Sequence, residues 1–577
     1  MSRIGTPRSS NTNCAGSVGQ APAGPAQFNL PKRSCAPDGP FSNLYYGCLG
    51  NLPALAAFRL AGSPSSKQRR RGRDAAGCNK AGNATKKQWL MPEMKRPKKF
   101  GTPFAPPPQK QKTSWRPKYE GLHMIRSKLL PVIAFFALSI ASAGATTIQI
   151  GIGHQSMCTD TYSAGLVIKE LGLLEKRLPH DGPYKDVTYD ITWKDYSSGG
   201  PITNEMLANK LDIGVMGDYP LIVNGAKFQA TNSLRSLYVA GTGYNLRGSG
   251  NGIVVPISSN IYSLQDLKGK SVSTPIGSAS WGMLLKAMQD AQIPSSAYDL
   301  KNQAPAVGAA NIAASKIDAH ADFCPWSEIM EYRGTGRKIY DGSETGVPYL
   351  HGAVVRQDFA EKYPEVVVAF IEAIYDAGQW IKEDPMRAVE KMEKWSGVEK
   401  EVLYLYFSKG GLLTLDPTIK PQWVDALKYD DSVLEKEQAI PPLDFNAWIT
   451  EKYVKVAYKD LGLDYQSQQA QIVDPKVANQ GLPMEIWHAR DGIKDYATMA
   501  QFLKAVASYN AEGAKLNATY VYDKETGLKL FGNSAFYVKE ANGDFSAFLR
   551  KPEADAYAHK IGGSVQTFDQ AWNSFAS

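Results

Sequence analysis

The chain has 577 residues, enough for several domains, and 43% of them are hydrophobic. Its formal net charge of +9 would suit a nucleic-acid or membrane partner, but residues 1–123 hold 21 Lys and Arg against 4 Asp and Glu. The remainder holds 44 against 52. The body of the protein is therefore acidic, which argues against nucleic acid as its partner.

Residues 1–123 combine Pro/Gly-rich stretches with a basic run at 69–73 and little apolar periodicity. A segment of this composition buries too little surface to fold, which predicts a disordered basic extension. We expect this extension to come from a wrongly chosen upstream start, with the working protein beginning at Met124.

Residues 124–145 have the order of a secretory signal peptide. Two basic residues precede the apolar run from Leu129 to Ile140, and small residues follow to position 145. The run is too short for a stable transmembrane helix. This order predicts export to the periplasm as a soluble, monomeric chain that begins near Thr146.

Six cysteines are present, and four of them lie in residues 1–123. Cys158 and Cys324 remain in the exported part. Two thiols in an exported protein can form one disulfide or act as soft metal ligands, and their spacing does not decide between these.

From Thr146 onward, short β-branched runs alternate with helical patterns, which predicts βαβ units and a mainly parallel sheet. The predicted strands are Thr147–Ile152, Val187–Trp193, Ile213–Met216, Gly252–Val255 and Ser271–Thr274. The predicted helices are Ser163–Leu171, Thr203–Asn209 and Ser280–Ala291. Between 359 and 459 the pattern is mostly helical, with amphipathic stretches at 366–380 and 388–395.

Two further segments complete the chain. Residues 466–483 are rich in Gln, lack periodicity and end in Gly481-Leu-Pro, which predicts a linker. Residues 484–577 are numerous enough for a small domain of their own.

Four Gly/Ser-rich turns come directly after predicted strands, at 151–156, 197–201, 217–220 and 277–282. In open α/β sheets, ligands bind beyond the carboxyl ends of the strands, where such turns expose backbone N–H groups. No turn completes a dinucleotide fingerprint or a phosphate-binding P-loop. The turns therefore predict one cleft for a small ligand.

The order of motifs resembles the nitrate/sulfonate/taurine family of solute-binding proteins of ABC transporters. The motifs that carry the resemblance are Ile148–Gly153, Gly172–Lys176, Trp193, Ser198–Pro201, Leu211–Pro220, Leu267–Val272 and Lys316–Ala319. The resemblance covers residues 146–465. It implies an α/β, two-lobed periplasmic-binding-protein fold, type II-like, that closes on its ligand and is read by an ABC permease in the inner membrane.

The resemblance also implies where the ligand binds, and it requires no cofactor. By position, the ligand contacts fall on His154, Gln155, Ser156, Met157, Cys158, Thr159, Ser198, Gly199, Gly200, Gly217, Asp218, Tyr219, Gly277, Ser278, Ser280, Trp281, Cys324 and Trp326. The family's ligands include oxyanions, sulfonates and pyrimidines. Family membership alone does not fix the ligand.

This fold would bring Cys158 and Cys324 face to face across the cleft. A disulfide there would lock the lobes, free thiols beside His154 and Met157 would suit Cu(I) or Zn, and two small buried residues are the third possibility. The fold also resembles a pyrimidine-precursor synthase of thiamine biosynthesis. That enzyme's cysteine-rich iron motif has no counterpart here, so we expect a protein that is not an enzyme.

Residues 484–577 resemble NosL, a copper-binding accessory family of nitrous oxide reductase maturation. The matching positions are Met484, His488, Asp491–Gly492, Met499, Leu503, Tyr522–Gly527, Ala535–Val538 and Ala554–Asp569. The resemblance implies a small α+β domain with Met484 and Met499 as candidate copper ligands and His488 nearby. The alternative function is therefore periplasmic copper handling, although the family's Cys before the first Met is absent.

Overall fold

The computed structural model describes residues 146–231 and 233–576. The predicted extension and signal peptide lie outside the described residues. Among the described residues, no helix is both long and apolar enough to cross a bilayer.

The chain begins with alternating strands and helices. In order, these are β1 Thr146–His154, α1 Leu166–Leu171, α2 Leu173–Arg177, β2 Val187–Asp195, α3 Gly199–Leu207, β3 Ile213–Gly217, α4 Asp218–Gln229 and β4 Ser236–Asn245. In β1 every second side chain, Ile148, Ile150 and Ile152, is buried, which is the period of a strand. A 3-10 helix at Thr159–Ala164 precedes α1, so the predicted helix from Ser163 is divided in two.

A second unit of the same kind follows. It contains β5 Gly252–Pro256, β6 Ser271–Thr274, α5 Ala279–Asp290, β7 Asp299–Asn302, α6 Pro305–Ala313, β8 Ala319–Asp322, α7 Trp326–Tyr332 and β9 Gly336–Asp341. These elements form the second lobe, with an apolar core of its own.

The chain then returns to the first unit. This part contains β10 Tyr349–Arg356, α8 Gln357–Lys362, α9 Pro364–Glu383, α10 Pro385–Ser396, α11 Lys400–Phe407, α12 Pro421–Lys436, α13 Phe445–Trp448, α14 Lys452–Asp460 and α15 Tyr465–Ala470. Residues 146–245 and 349–470 together form the first lobe. The long amphipathic helix α9 packs against α2 and α14.

Each lobe contains one five-stranded mixed sheet. The strand orders are β2-β1-β3-β10-β4 in the first lobe and β7-β6-β8-β5-β9 in the second. In both sheets two neighbouring pairs are parallel and two are antiparallel, so the prediction of a mainly parallel sheet was only half right. The antiparallel strand β10 enters the first sheet from the second lobe, and local βαβ patterns cannot show this.

The chain crosses between the lobes twice, at residues 246–251 and 342–348. Two α/β lobes joined by two crossings are the predicted two-lobed architecture, and this prediction is confirmed.

The C-terminal domain, residues 484–577, contains strands and helices in an α+β arrangement, as predicted. Its elements, with the short helix before it, are α16 Pro475–Ala478, β11 Met484–His488, β12 Gly492–Tyr496, α17 Met499–Ala511, β13 Leu516–Tyr522, β14 Lys529–Phe531, β15 Phe536–Lys539, β16 Phe545–Phe548, α18 Lys551–Ile561, β17 Val565–Gln566 and α19 Phe568–Asn573. The strands form two sheets, ordered β12-β11-β13-β14 and β16-β15-β17.

The predicted linker at 466–483 carries α16 and most of α15, and it is fixed to its surroundings by polar contacts. Arg247 pairs with Asp474 at 2.6 Å. The side-chain amide of Asn479 donates to the carbonyl oxygens of Gly410 and Gly527, each at 2.9 Å. The segment therefore holds the C-terminal domain against the first lobe.

The C-terminal domain contacts both lobes. Tyr520 donates its hydroxyl hydrogen to the carbonyl oxygen of Glu401 in α11 at 2.8 Å. The ring of Phe531 lies 5.6 Å from that of Tyr332 in the second lobe, and Arg550 pairs with Glu344 in the second crossing.

Candidate ligand-binding cleft

The loops that follow β1 and β3 in the first lobe face those that follow β6 and β8 in the second. Cys158 Sγ lies 3.1 Å from Cys324 Sγ. A methyl group added at Gly217 would lie 3.4 Å from Cβ of Ala279, and one added at Gly282 would overlap the ring of Tyr219. The two lobes are therefore in close contact, which is a closed arrangement.

A cavity of about 460 Å³ remains between the lobes beside these contacts. Ser198, Gly200 and Lys227 line it from the first lobe, and Gly277 and Trp281 line it from the second. The remaining lining residues are Ser197, Pro201, Asn204, Val223, Pro275, Ile276, Asn302, Ala304, Ala439 and Ile440. Residues from all five of the predicted contact loops lie here or at the adjoining lobe contacts.

Two helix N-termini border this cavity, those of α3 and α5. The first N–H groups of a helix have no partner inside it, and the helix dipole favours an anion at this end. Ser278 caps α5 by accepting a hydrogen bond from Trp281 N, whereas Ser198 makes no such cap for α3. The N-terminus of α3 is therefore the more available of the two, and Lys227 adds a positive charge to the lining.

Three buried carboxyl groups lie near the lobe contacts. Burial raises the pKa of Asp160 and of Asp218 to about 7, and it raises the pKa of Asp430 well above the usual range. The backbone N–H groups of Tyr219 and Leu350 donate to Asp218, which opposes this rise. These acids hold protons in the pH range where ordinary carboxyl groups are charged, so they repel a bound anion less.

The two cysteines contact a histidine, His351, that is not among the predicted ligand contacts. His351 Nε2 lies 3.7 Å from Cys158 Sγ and 3.8 Å from Cys324 Sγ, and all three side chains are buried. Burial lowers the pKa of His351 to about 3 and raises the pKa of the Cys324 thiol well above its usual value. Without a metal, His351 and Cys324 are therefore neutral near pH 7. In the sequence, the one indication of this cluster is a histidine, His351, within the mostly apolar strand β10.

Three residues predicted on the first loop lie within the first lobe instead of at the cysteines. His154 packs edge-on against Trp193 with ring centroids 5.7 Å apart. Gln155 donates to the carbonyl oxygen of Val215, and Ser156 donates to Asp195. Because β1 ends in a tight turn, this side of its loop faces β2 and β3, and His351 occupies the place expected for His154.

The remaining predicted residues surround the lobe contact. Met157 is half-buried, and Thr159 donates its hydroxyl hydrogen to Asp160. Ser280 hydrogen-bonds with Thr274 and Ser278 inside the second lobe, and buried Trp326 begins α7. Gly199 begins α3 and lies against Pro220.

In the C-terminal domain, Met484 and His488 stand at the two ends of β11. Four residues along a strand separate their Cα atoms by roughly 13 Å. Met499 begins α17, three residues after Tyr496, which pairs with Met484. His488 Nδ1 accepts hydrogen bonds from the backbone of Arg490 and Asp491. Met484 and His488 are therefore not adjacent along β11, and Met499 lies three residues from the strand position that pairs with Met484.

Part of the chain is similar to known proteins. Residues 190–388 match a family described as NMT1/THI5 like. Over 288 residues, the chain is 26% identical to the taurine-binding periplasmic protein of Escherichia coli (strain K12), which covers 46% of this chain and 84% of the relative. The relative is named as a binding protein, in agreement with the expectation that the chain is not an enzyme.

Solved structures are similar as well. The alkanesulfonate-binding protein SsuA from Xanthomonas axonopodis pv. citri, bound to MOPS, is 20% identical with a TM-score of 0.46, covering 53% of this chain and 99% of that one. The periplasmic aliphatic sulphonate binding protein SsuA from Escherichia coli is 19% identical with a TM-score of 0.43, covering 56% and 99%.

Proposed function

We propose that this chain is the periplasmic solute-binding component of an ABC importer and that it captures a small sulfonate, or a related anionic solute, between its two lobes. The observation that carries the proposal is the interlobe cavity, which is bordered by the N-termini of α3 and α5 and lined by Lys227. Its volume of about 460 Å³ suits a small organic molecule. The taurine-binding relative supports the same class of ligand.

The two-lobed architecture supplies the mechanism. The solute contacts groups on both lobes, so it stabilises the closed arrangement over any open one by the difference in its affinity for the two. An inner-membrane permease would then recognise the closed surface. The protein needs no chemical step for this role, and its signature is stabilisation by solute without turnover.

The test is a thermal-shift and calorimetry screen of the purified protein against taurine, a short alkanesulfonate, nitrate, sulfate, a pyrimidine and a cationic amine. We expect a rise in Tm with one or more anions, and a ligand at 100 times its Kd adds about 2.7 kcal/mol to the free energy of unfolding. A rise with the amine alone, or conversion of the solute into a product, would contradict the proposal.

Two variants locate the binding site. Gly200→Ala adds a methyl group that meets no other atom within 4 Å, so the fold accommodates it while the cavity beside α3 becomes smaller. We expect it to weaken anion binding about tenfold with no loss of stability. Lys227→Gln should weaken anion binding by roughly threefold to tenfold, less so at high salt, whereas exposed Lys316→Gln serves as the matched control.

We further propose that the C-terminal domain is related to NosL and that Met484 and Met499 are its copper ligands. Two observations support this proposal. The domain is α+β, and both methionines are close to Tyr496, because Met484 pairs with it across β11 and β12 and Met499 follows it by three residues. The test is Cu(I) binding by a Cys158→Ser/Cys324→Ser protein, in which the cleft thiols are absent. Binding that is lost in the further Met484→Leu variant supports the proposal, and the absence of binding contradicts it.

A further inference from the structure

Three potential metal ligands meet at the contact between the lobes, apart from the lining of the solute cavity. Cys158 follows β1 in the first lobe, Cys324 follows β8 in the second, and His351 lies in β10, just after the second crossing. The exposed fractions of their surfaces are 1%, 0% and 1%. Three segments that are distant in sequence therefore place two thiols and an imidazole nitrogen in one buried pocket.

The three donor atoms have the spacing of a metal site. They form a triangle with sides of 3.1, 3.7 and 3.8 Å. The point equidistant from all three lies roughly 2.1 Å from each, near the metal–ligand distances of about 2.0–2.3 Å found for histidine nitrogen and cysteine sulfur. A cation fits between them after the sulfur atoms move outward by a few tenths of an ångström.

The other nitrogen of His351 faces a carboxyl group. Its Nδ1 lies 3.5 Å from Asp160 Oδ2 and has no hydrogen-bond partner of its own within the described part of the chain. A carboxyl group behind a histidine is a usual arrangement in metal sites, where it fixes the ring and, in its charged form, raises the basicity of the coordinating nitrogen. Nε2 is thereby left free to face the two sulfur atoms.

We propose that Cys158, Cys324 and His351 form a three-coordinate site for the thiophilic cation Cu(I), which joins the two lobes. Two sulfur–copper bonds and one nitrogen–copper bond form. The two thiol protons leave to solvent, and neither copper nor sulfur changes oxidation state. This inference does not depend on the proposed solute-binding function.

The donor set favours Cu(I) over Zn²⁺. Soft thiolate ligands select both ions, but structural zinc sites almost always have four ligands. Among residues 146–231 and 233–576, the cluster brings together three Cys, His or carboxylate donors. Its burial leaves little access for water as a fourth ligand, and Cu(I) is stable with three.

The experiment uses the reduced full-length protein without oxygen, with Cys14, Cys35, Cys48 and Cys78 changed to Ser so that Cys158 and Cys324 are the remaining thiols. It is titrated with Cu(I) in competition with the chromogenic chelator bicinchoninate. We expect one cleft-bound Cu(I), near-ultraviolet thiolate-to-copper absorption, and an X-ray absorption spectrum that fits two sulfur ligands and one nitrogen ligand. Cys158→Ser, Cys324→Ser and His351→Gln should each weaken this site by more than about 100-fold, and exposed His559→Gln should not. Melting of each metal-free variant separates loss of the site from loss of the fold.

Asp160→Asn gives a second test that does not remove a ligand. As a positioning residue, Asp160 should change Cu(I) affinity by about 10–100-fold while the stoichiometry and the thiolate absorption remain. The proposal is overturned by tighter binding of Zn²⁺ than of Cu(I), or by a Cys158–Cys324 disulfide that persists under the reducing conditions. It is also overturned if copper remains bound with unchanged affinity in the double serine variant that also carries Met484→Leu, in which the proposed C-terminal copper site is removed as well. Solute binding is measured separately on the reduced, metal-free protein, so failure of the copper proposal and failure of the solute-binding proposal are distinguishable.

Discussion

Cys158 and Cys324 are 166 positions apart in the chain, and their sulfur atoms lie 3.1 Å apart across the contact between the two lobes. Each thiol belongs to a different lobe, so the pair exists only when the lobes are closed. The reactivity of these thiols therefore depends on how often the lobes separate, and solute binding should change it.

We expect Cys158 and Cys324 to react slowly with a thiol reagent such as DTNB in reduced, copper-free protein whose other four cysteines are changed to Ser, and more slowly still with saturating solute. The reason is that both sulfur atoms are buried, so reaction requires opening. The measurement is the rate of labelling with and without solute, with guanidinium-unfolded protein as the reference for full reactivity. Equal rates with and without solute would contradict the coupling between closure and binding.

Gly282→Ala should weaken solute binding by preventing close approach of the lobes. Its added methyl carbon would overlap ring carbons of Tyr219 in the opposite lobe, so the Tyr219 ring or one of the two lobes must move. We expect at least a tenfold increase in Kd, measured by calorimetry, with each lobe still folded. Gly378→Ala is the matched control: its methyl group meets Leu415 at an ordinary 3.7 Å, and we expect unchanged affinity.

Asp431→Asn should stabilise the protein at neutral pH and have little effect near pH 4. Burial raises the pKa of Asp431 to about 6, and its Oδ1 has no hydrogen-bond partner among the described residues. Because the folded pKa lies above the unfolded value of about 3.9, the folded state binds the proton more tightly, and the free energy of unfolding falls as pH rises from about 4 to 6.

The asparagine variant removes this loss, so we expect a gain of about 1–3 kcal/mol at pH 7 that disappears at pH 4. Urea unfolding at the two pH values measures it. Exposed Asp425→Asn on the same helix should stay within about 0.5 kcal/mol of the parent. A gain of equal size at both pH values would show that removal of charge is not its cause.

Lys529→Met should destabilise the C-terminal domain. Lys529 Nζ is fully buried, pairs with Glu485, and donates to Ser408 Oγ at 2.8 Å. Burial lowers the pKa of Lys529, and the Glu485 carboxylate opposes that shift. Removing the lysine leaves Glu485 buried without its cation, at a cost of about 3–5 kcal/mol.

The double variant Lys529→Met/Glu485→Gln should recover part of this loss because no unpaired charge remains. The midpoint of urea unfolding, followed by circular dichroism, compares the single, double and parent proteins. Exposed Lys551→Met is the control. A double variant less stable than the single one would mean that Glu485 is stabilised by groups other than Lys529.

The sequence predicts the local elements of this fold more completely than the way they meet. The strands from Thr147 and Val187 are visible from alternation. The turn at 197–201, after the second of them, contributes to the cavity lining, whereas residues 151–156 do not. The antiparallel placement of β10 is not predictable in this way, because it depends on the chain returning from the second lobe.

The same limit applies to the metal-ligand cluster. The resemblance predicts that Cys158 and Cys324 face each other, and their 3.1 Å separation confirms this prediction. The third member, His351, lies beside them because β10 pairs with β3, where His351 is opposite Gly217. His154 is nearer to Cys158 in sequence, but the turn after β1 directs its ring toward Trp193.

The contacts of the C-terminal domain with both lobes have a thermodynamic consequence. Phe531 contacts Tyr332, and Arg550 pairs with Glu344. If opening of the lobes breaks either contact, the C-terminal domain contributes to the free-energy difference between the open and closed states, although it does not line the cavity. Apparent solute affinity equals intrinsic affinity scaled by the fraction of molecules that are competent to bind. Changes on the surface of the C-terminal domain can therefore adjust the solute concentration at which the protein becomes half-saturated, with every contact to the solute unchanged.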